Sequence, residues 1–413
     1  MMKSEEAAAL DALTAESRGI HRACVRLLAA RNTALAAEIV RTHSKYFDSA
    51  GTAEDPANQS YAALLQRLGP IAEAMPAIVA ATIPRSSLWA GTGEVGASWL
   101  VVIPAGVVSF YRRFCTVVFQ ARESYAESEA LEGPIGQMSR LLGEQLEFGL
   151  LDFAGMDHLP HNSKPIIEHL TQLSYEFFIL HEACHVRERH QEPGAHDTTW
   201  YQEAHLRHAN EFAADRWAFN TLLASFSNDM HLVAVAVAML FDSLDLLDRF
   251  DFAPMTRLTH PAPAARKWRL MRLLEAPEAL DFLDANELQK AREFSLFYER
   301  LAAFIVDRAK PATPLNIALN SGADAGPESF VNAMLPLLAL GDPARIVHNF
   351  ARVRCSSQKW AEEGSKEDAA WVTRVNGCID ALGRELNTVP RLRDLAGLLL
   401  QAESSGSGLA QKA

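Results

Sequence analysis

The sequence predicts a mostly α-helical (α+β) protein, with a small sheet beside one long central helix and helical regions at both ends. Three observations lead there. Apolar residues recur at three- and four-residue spacing over most of the chain, the signature of helices with one buried face. One stretch, Ser86 to Phe114, instead gathers Trp, Val, Ile and Phe around glycines. A third, "HEACHVRERH" from His181 to His190, puts two histidines one helical turn apart at the end of an apolar run.

Taken in order, residues 1–85 read as a helical N-terminal region. "EAAALDALTAES", "ACVRLLAARNTALAAEIVRTHSKYF" and "SYAALLQRLGPIAEAMPAIVAATI" all carry the helical spacing, broken by Gly and Pro. The stretch 86–114 reads as two short strands around a Pro-Ala-Gly turn, the second including Val107 to Phe110. Helices follow around Glu144, from Pro165 to Arg189 and from Thr199 to Phe226, the last two joined by the loop "QEPGAHDTT". Residues 86–308 thus form the expected central domain. The Pro-, Gly- and Ala-rich run 309–328 reads as a linker, 329–402 as a helical C-terminal region and 403–413 as a disordered tail.

Composition narrows the function. Hydrophobic residues at 49% and charged residues at 22% of 413 are those of a soluble globular chain. A net charge of -12 argues against a nucleic-acid partner, and the basic run "ARKWRLMR" reads as a solvated helix face. The longest apolar run, Leu232 to Phe241, falls short of the roughly 20 residues a bilayer span needs, so no membrane span is expected. The five scattered cysteines read as reduced thiols, and no secretory h-region is visible, which together predict a cytoplasmic protein.

Eleven of the 14 histidines lie between His158 and His260. Within that span, His181 and His185 share one helix face and can point at one ion, and neutral imidazole suits zinc. Glu182, about 100° further round the helix, can act as a base without becoming a ligand. A carboxylate is wanted to complete the set. Glu211, in "HANEFAADRWAF", offers it, and Asp215 one turn later can accept the free ring N–H of a ligating histidine. Asp197, twelve residues after His185, remains a rival ligand that loosely fits the aspzincin pattern. The other reading of this helix is an ordinary buried segment with two satisfied histidines.

Together, "HEACHVRERH", "NEFAADRWA" and "THPAPAARKWRL" resemble the gluzincin peptidases that include the CaaX prenyl endopeptidases and HtpX, metallopeptidase family forty-eight. The resemblance covers roughly residues 95 to 275. It implies a zincin-like core and one zinc per chain on His181, His185 and Glu211, with Glu182 catalytic. It implies that His260 donates to the oxyanion, that Asp215 and Arg266 brace the site, and that Val107, Val108, Ser109 and Phe110 bind substrate as an added strand. Many members of that family are membrane-embedded; here a soluble protein or peptide substrate is expected. The competing expectation is a zinc-stabilised binding or regulatory protein that no longer cuts. Oligomeric state stays open.

Overall fold

A helix that is apolar on every side has to be buried on every side. The run "KPIIEHLTQLSYEFFILHEACHVR" is buried on every side over its second half, and the computed structural model builds the molecule around it. The structure describes residues 4–400 apart from 48–54, 69–76, 84–89, 96–97, 125–130, 150–162, 189–199, 251–259, 276–284, 312 and 364. Helices α1 (Ser4–Arg31), α2 (Thr33–Phe47) and α3 (Pro56–Leu68) precede strands β1 (Ile78–Ile83), β2 (Gly91–Val95) and β3 (Ser98–Pro104). Then come α4 (Ala105–Ser124), α5 (Glu132–Phe148), the central α6 (Lys164–Arg187), α7 (Trp200–Ser225) and α8 (Met230–Phe250). The described chain ends with α9 (Pro263–Leu273), α10 (Ala285–Val306), α11 (Pro314–Ala325), α12 (Pro327–Leu340), α13 (Pro343–Glu363), α14 (Lys366–Asn387) and α15 (Arg393–Leu400). The mostly helical class with a small sheet is therefore as expected.

Helix α6 packs against α3, α4, α7, α8 and the sheet. From Leu173 to Val186 all of its residues are buried. Helix α4 is tied to α8 by the Tyr111 hydroxyl, which donates to the Ala236 carbonyl at 3.1 Å. Helix α8 is the one described helix long and apolar enough to cross a membrane, yet 78% of its most apolar window is buried inside the protein, as in the core helix of a globular fold.

The sheet runs in the order β1-β3-β2. Strand β2 forms an antiparallel hairpin with β3, pairing Gly91 with Val102 and Val95 with Ser98. Strand β1 pairs parallel to β3 on its other side, Ile78 opposite Trp99 through Ile83 opposite Pro104. Side chains alternate across β3, as the two-residue period requires. Val101 and Ile103 enter the main core, whereas Leu100 joins a small cluster with Leu10 of α1. Buried Asp55 links β1 to α3: its carboxylate accepts from the Ala57 N–H at 2.8 Å and from the Thr82 N–H.

Two expectations about these elements need correction. Residues 78–83 form a strand, not the end of a helix. A short apolar run with no polar interruption carries no period, so helix and buried strand look alike in it. Val107, Val108, Ser109 and Phe110 lie in α4, not in the second strand of a hairpin. Val107, Phe110, Tyr111, Phe114, Cys115 and Val118 are all buried at helical spacing, and that long-range period outweighs the local β propensity of "VVSF". The strand-addition site expected at 107–110 is therefore absent; the hairpin lies earlier, at 91–104.

Residues 314–325 of the expected linker form α11. The two ends of the chain also meet. Helix α1 packs on α12, and Arg31 pairs with Glu328 and donates to Glu385 at 3.0 Å and to Asn332 at 2.9 Å.

Candidate metal centre

The site is assembled by three helices. Helix α6 supplies His181, Glu182 and His185, α7 supplies Glu211 and Asp215, and α9 supplies Arg266, with His260 just ahead of it. All but His260 are buried, and His260 is partly so. His181 Nε2 and His185 Nε2 stand 3.1 Å apart. Glu211 completes a triangle, with Oε1 3.2 Å from His185 Nε2 and Oε2 3.4 Å from His181 Nε2. Among the described residues these three side chains form the group whose donor atoms converge within 4.8 Å, and they could hold a metal ion. Glu211 Oε2 is buried without a well-formed hydrogen bond, its polar neighbours being His181 Nε2 at 3.4 Å and Arg266 Nη1 at 3.3 Å.

Behind the triangle lies a bracing layer. His181 Nδ1 stands 3.0 Å from Asp215 Oδ1, which selects the tautomer whose Nε2 lone pair faces the cluster. Arg266 grips Asp215 with two bonds, Nε to Oδ2 at 2.7 Å and Nη2 to Oδ1 at 2.6 Å. Its Nη1 also stands 3.3 Å from Glu211 Oε2, and its guanidinium lies 5.0 Å over the Phe241 ring. The fork geometry of arginine makes this two-point grip available where lysine would offer one.

The electrostatics follow from burial and these neighbours. Burial pulls the His181 imidazole down, but the Glu211 and Asp215 carboxylates outweigh it and raise His181 to about 10. His185 is lowered by burial, only partly opposed by its contact with Glu211. Burial also lowers His260. Burial would raise Glu211 and Asp215, yet His181 and Arg266 hold both below the ordinary carboxylate range. Burial, with Glu211 adding to it and His181 and Arg266 only partly opposing it, pushes Glu182 up to about 7. The cluster, in short, demands positive charge.

Glu182, His181, His260 and Arg266 open onto a small cleft. Phe177 and Phe178 of α6 and Leu240, Phe241 and Leu244 of α8 line the rest, and Ala90, the residue ahead of β2, stands at its edge. These apolar lining residues were not legible as site residues. The period of "LVAVAVAMLF" marks a core helix and cannot say which face meets the metal ligands. Cys184 is free and buried, outside the donor cluster. The rival ligand Asp197 lies outside the described residues.

Residues 156–284, less than a third of the chain but including every one of these site residues except Ala90, match the family described as Peptidase U49. The match supports a peptidase, which acts on a protein or peptide; it does not single out the CaaX endopeptidase and HtpX family expected from the motifs. No curated protein matches the chain, and no solved structure does.

Proposed function

We propose that the protein is a zinc-dependent endopeptidase of the gluzincin type, related in its motif order to the CaaX endopeptidase and HtpX family, with His181, His185 and Glu211 as ligands. The observation that carries this is the donor triangle. Four ligands placed about 2.0 Å from one zinc ion stand roughly 3.3 Å from each other. Here the two histidine nitrogens are 3.1 Å apart, and each has one oxygen of the Glu211 carboxylate close by, Oε1 at 3.2 Å from His185 and Oε2 at 3.4 Å from His181, with one donor atom from each residue lying within 4.8 Å of the others. Charge supports the same reading: Glu211 and Asp215, held ionised beside Arg266, raise His181 because they favour a cation there, and a metal ion would supply that charge in place of the ring proton.

A zinc ion bound there supplies Lewis-acid polarisation and acidifies water. The chain's own residues do the rest. Glu182, with a carboxyl near 7, takes the proton of the attacking water and passes it to the leaving amine. His260, kept neutral by burial, donates its ring N–H to the scissile carbonyl oxygen as that oxygen gains charge. Asp215 holds the tautomer of His181, and Arg266 holds Asp215. For the substrate main chain we favour β2, which pairs on one side only among the described strands and is preceded by Ala90 at the cleft.

The test is zinc content and casein cleavage after dialysis against a weak chelator. About one zinc per chain is expected in the wild type and in Glu182→Gln, and none in Glu211→Ala. Casein cleavage should be chelator-sensitive and at least ~100-fold slower in Glu182→Gln. A wild type without zinc, or a fully active Glu182→Gln, would overturn the mechanism. Tight zinc with no cleavage would favour a binding protein on a peptidase fold.

A further inference from the structure

Among the described side chains of α7 (206–225) and α9 (263–273), every exposed charged residue is an arginine: Arg207, Arg216, Arg269 and Arg272. The chain as a whole carries 51 acidic residues against 39 Lys and Arg, so this bias is local. Arg272 pairs with Glu275, just beyond α9, whereas Arg216 and Arg269 have no carboxylate partner among the described residues. The Arg269 guanidinium instead lies 3.7 Å over the ring of Phe212, which joins the outer faces of the two helices. Phe212 and Arg216 are four residues apart and share a face, as do Trp268 and Arg272. Trp268 is 63% exposed, more than any other large apolar side chain described, and Arg272 stands 5.9 Å over its ring. Arginine and aromatic residues side by side are the composition of a binding surface, not of a merely solvated helix face.

This surface backs directly onto the metal centre. Phe212 follows Glu211 in α7, and Trp268 stands two residues after Arg266 in α9. The inner sides of the two helices build the site and their outer sides carry the patch, about one helix diameter, ~10 Å, away. We propose that the outer face of α7 and α9 is a docking surface for an acidic segment of the protein substrate, outside the stretch that enters the cleft. This rests on the peptidase reading and adds to it the charge of the substrate. A guanidinium donates paired N–H bonds to a carboxylate, which Arg216 and Arg269 are free of partners to do, and Trp268 offers apolar contact between the acids. A bilayer fits less well. Leu206 and Trp268 are the large apolar residues exposed on these described stretches, whereas an interfacial helix buries a continuous apolar face. A nucleic acid fits less well too, because the net charge of -12 repels a long polyanion, while a short acidic segment meets the patch alone.

The inference is tested with two peptides that share the segment around one bond cleaved in casein and differ in an added tract of Glu or of Gln. The tract is joined at either end through a flexible Gly-Ser spacer of about ten residues, which reaches roughly 18 Å. In the wild type the Glu tract should lower KM about fivefold or more at unchanged kcat. The gain should vanish near 1 M salt, where the screening length is about 3 Å. Arg216→Glu and Arg269→Glu should each bring the KM ratio close to one, and Trp268→Ala should reduce it. Arg374→Glu, exposed on α14, makes the same charge change elsewhere and should keep the wild-type ratio. Zinc content and melting temperature report whether each variant is folded. Equal KM for the two tracts, or a Glu preference that survives both arginine variants, overturns the docking surface alone. If sedimentation with phosphatidylcholine–phosphatidylserine vesicles is then lost in the same variants, the face binds lipid instead. Without any chelator-sensitive cleavage the peptidase reading fails, and fluorescence anisotropy of the labelled peptides decides the surface by itself. Tighter binding of the Glu tract, lost in Arg269→Glu, supports it; equal binding of both tracts overturns it.

Discussion

Asp215 is 1% exposed, and its two oxygens are divided between His181 and Arg266. Removing its charge would leave the Arg266 guanidinium buried beside Glu211 without its main partner. Asp215→Asn is therefore expected to cost about 3–5 kcal/mol of stability in denaturant unfolding. Zinc affinity in a chelator competition should fall roughly 10–100-fold, because His181 loses the acceptor that orients it. Asp242 makes a prediction about pH. It pairs with Lys267, but burial dominates, with Glu299 and Asp245 adding to it, and raises the carboxyl from 3.8 to about 6. The folded state thus holds this proton more tightly than the unfolded chain does. Its contribution to stability is present at low pH and is lost as pH rises from about 4 through 6. Asp242→Asn should flatten that segment of the stability–pH profile; an unchanged slope would refute the assignment.

At the scale of elements, α6 is the part that cannot be loosened. Leu180 is fully buried and next to His181, so Leu180→Ala should cost about 2–5 kcal/mol and weaken zinc binding as the ligand turn shifts. Helix α4 separates two accounts of residues 107–110. As core, Phe110→Ala should cost about 3–5 kcal/mol by urea unfolding. As a strand that binds substrate it would instead raise KM at unchanged stability. The buried face at helical spacing predicts the first outcome.

Over the whole molecule, the helical ends are joined to the centre and to each other. Strand β1 from the N-terminal region is part of the sheet, and α1 packs on α12 with Arg31 bridging to Glu328 and Glu385. Further bonds run from the C-terminal helices to α5, among them Asn349 Nδ2 to the Glu147 carbonyl at 2.7 Å and the Leu315 N–H to Glu147 Oε2 at 2.6 Å. Most of the buried apolar residues form one continuous cluster drawn from α1 through α15. A chain beginning at residue 86 is accordingly expected to lose its cooperative melting transition and its zinc, by calorimetry and metal analysis. A folded, active fragment would instead favour an N-terminal region that merely caps the site.

The sequence by itself determined what depends on local period. His181 and His185 share a face because they are four residues apart, Glu211 and Asp215 share one for the same reason, and each helix face is apolar before anything packs on it. The candidate donors within each helix were legible in this way. Tertiary structure decided which distant elements meet. It carries Arg266 to Asp215 across 51 residues and sets Leu240, Phe241 and Leu244 of α8 at the cleft. It also makes a strand of 78–83 and a helix of 105–124, since a short apolar run takes the conformation its neighbours can bury. Local period is written in the spacing of residues, whereas burial partners are set by packing across the whole chain.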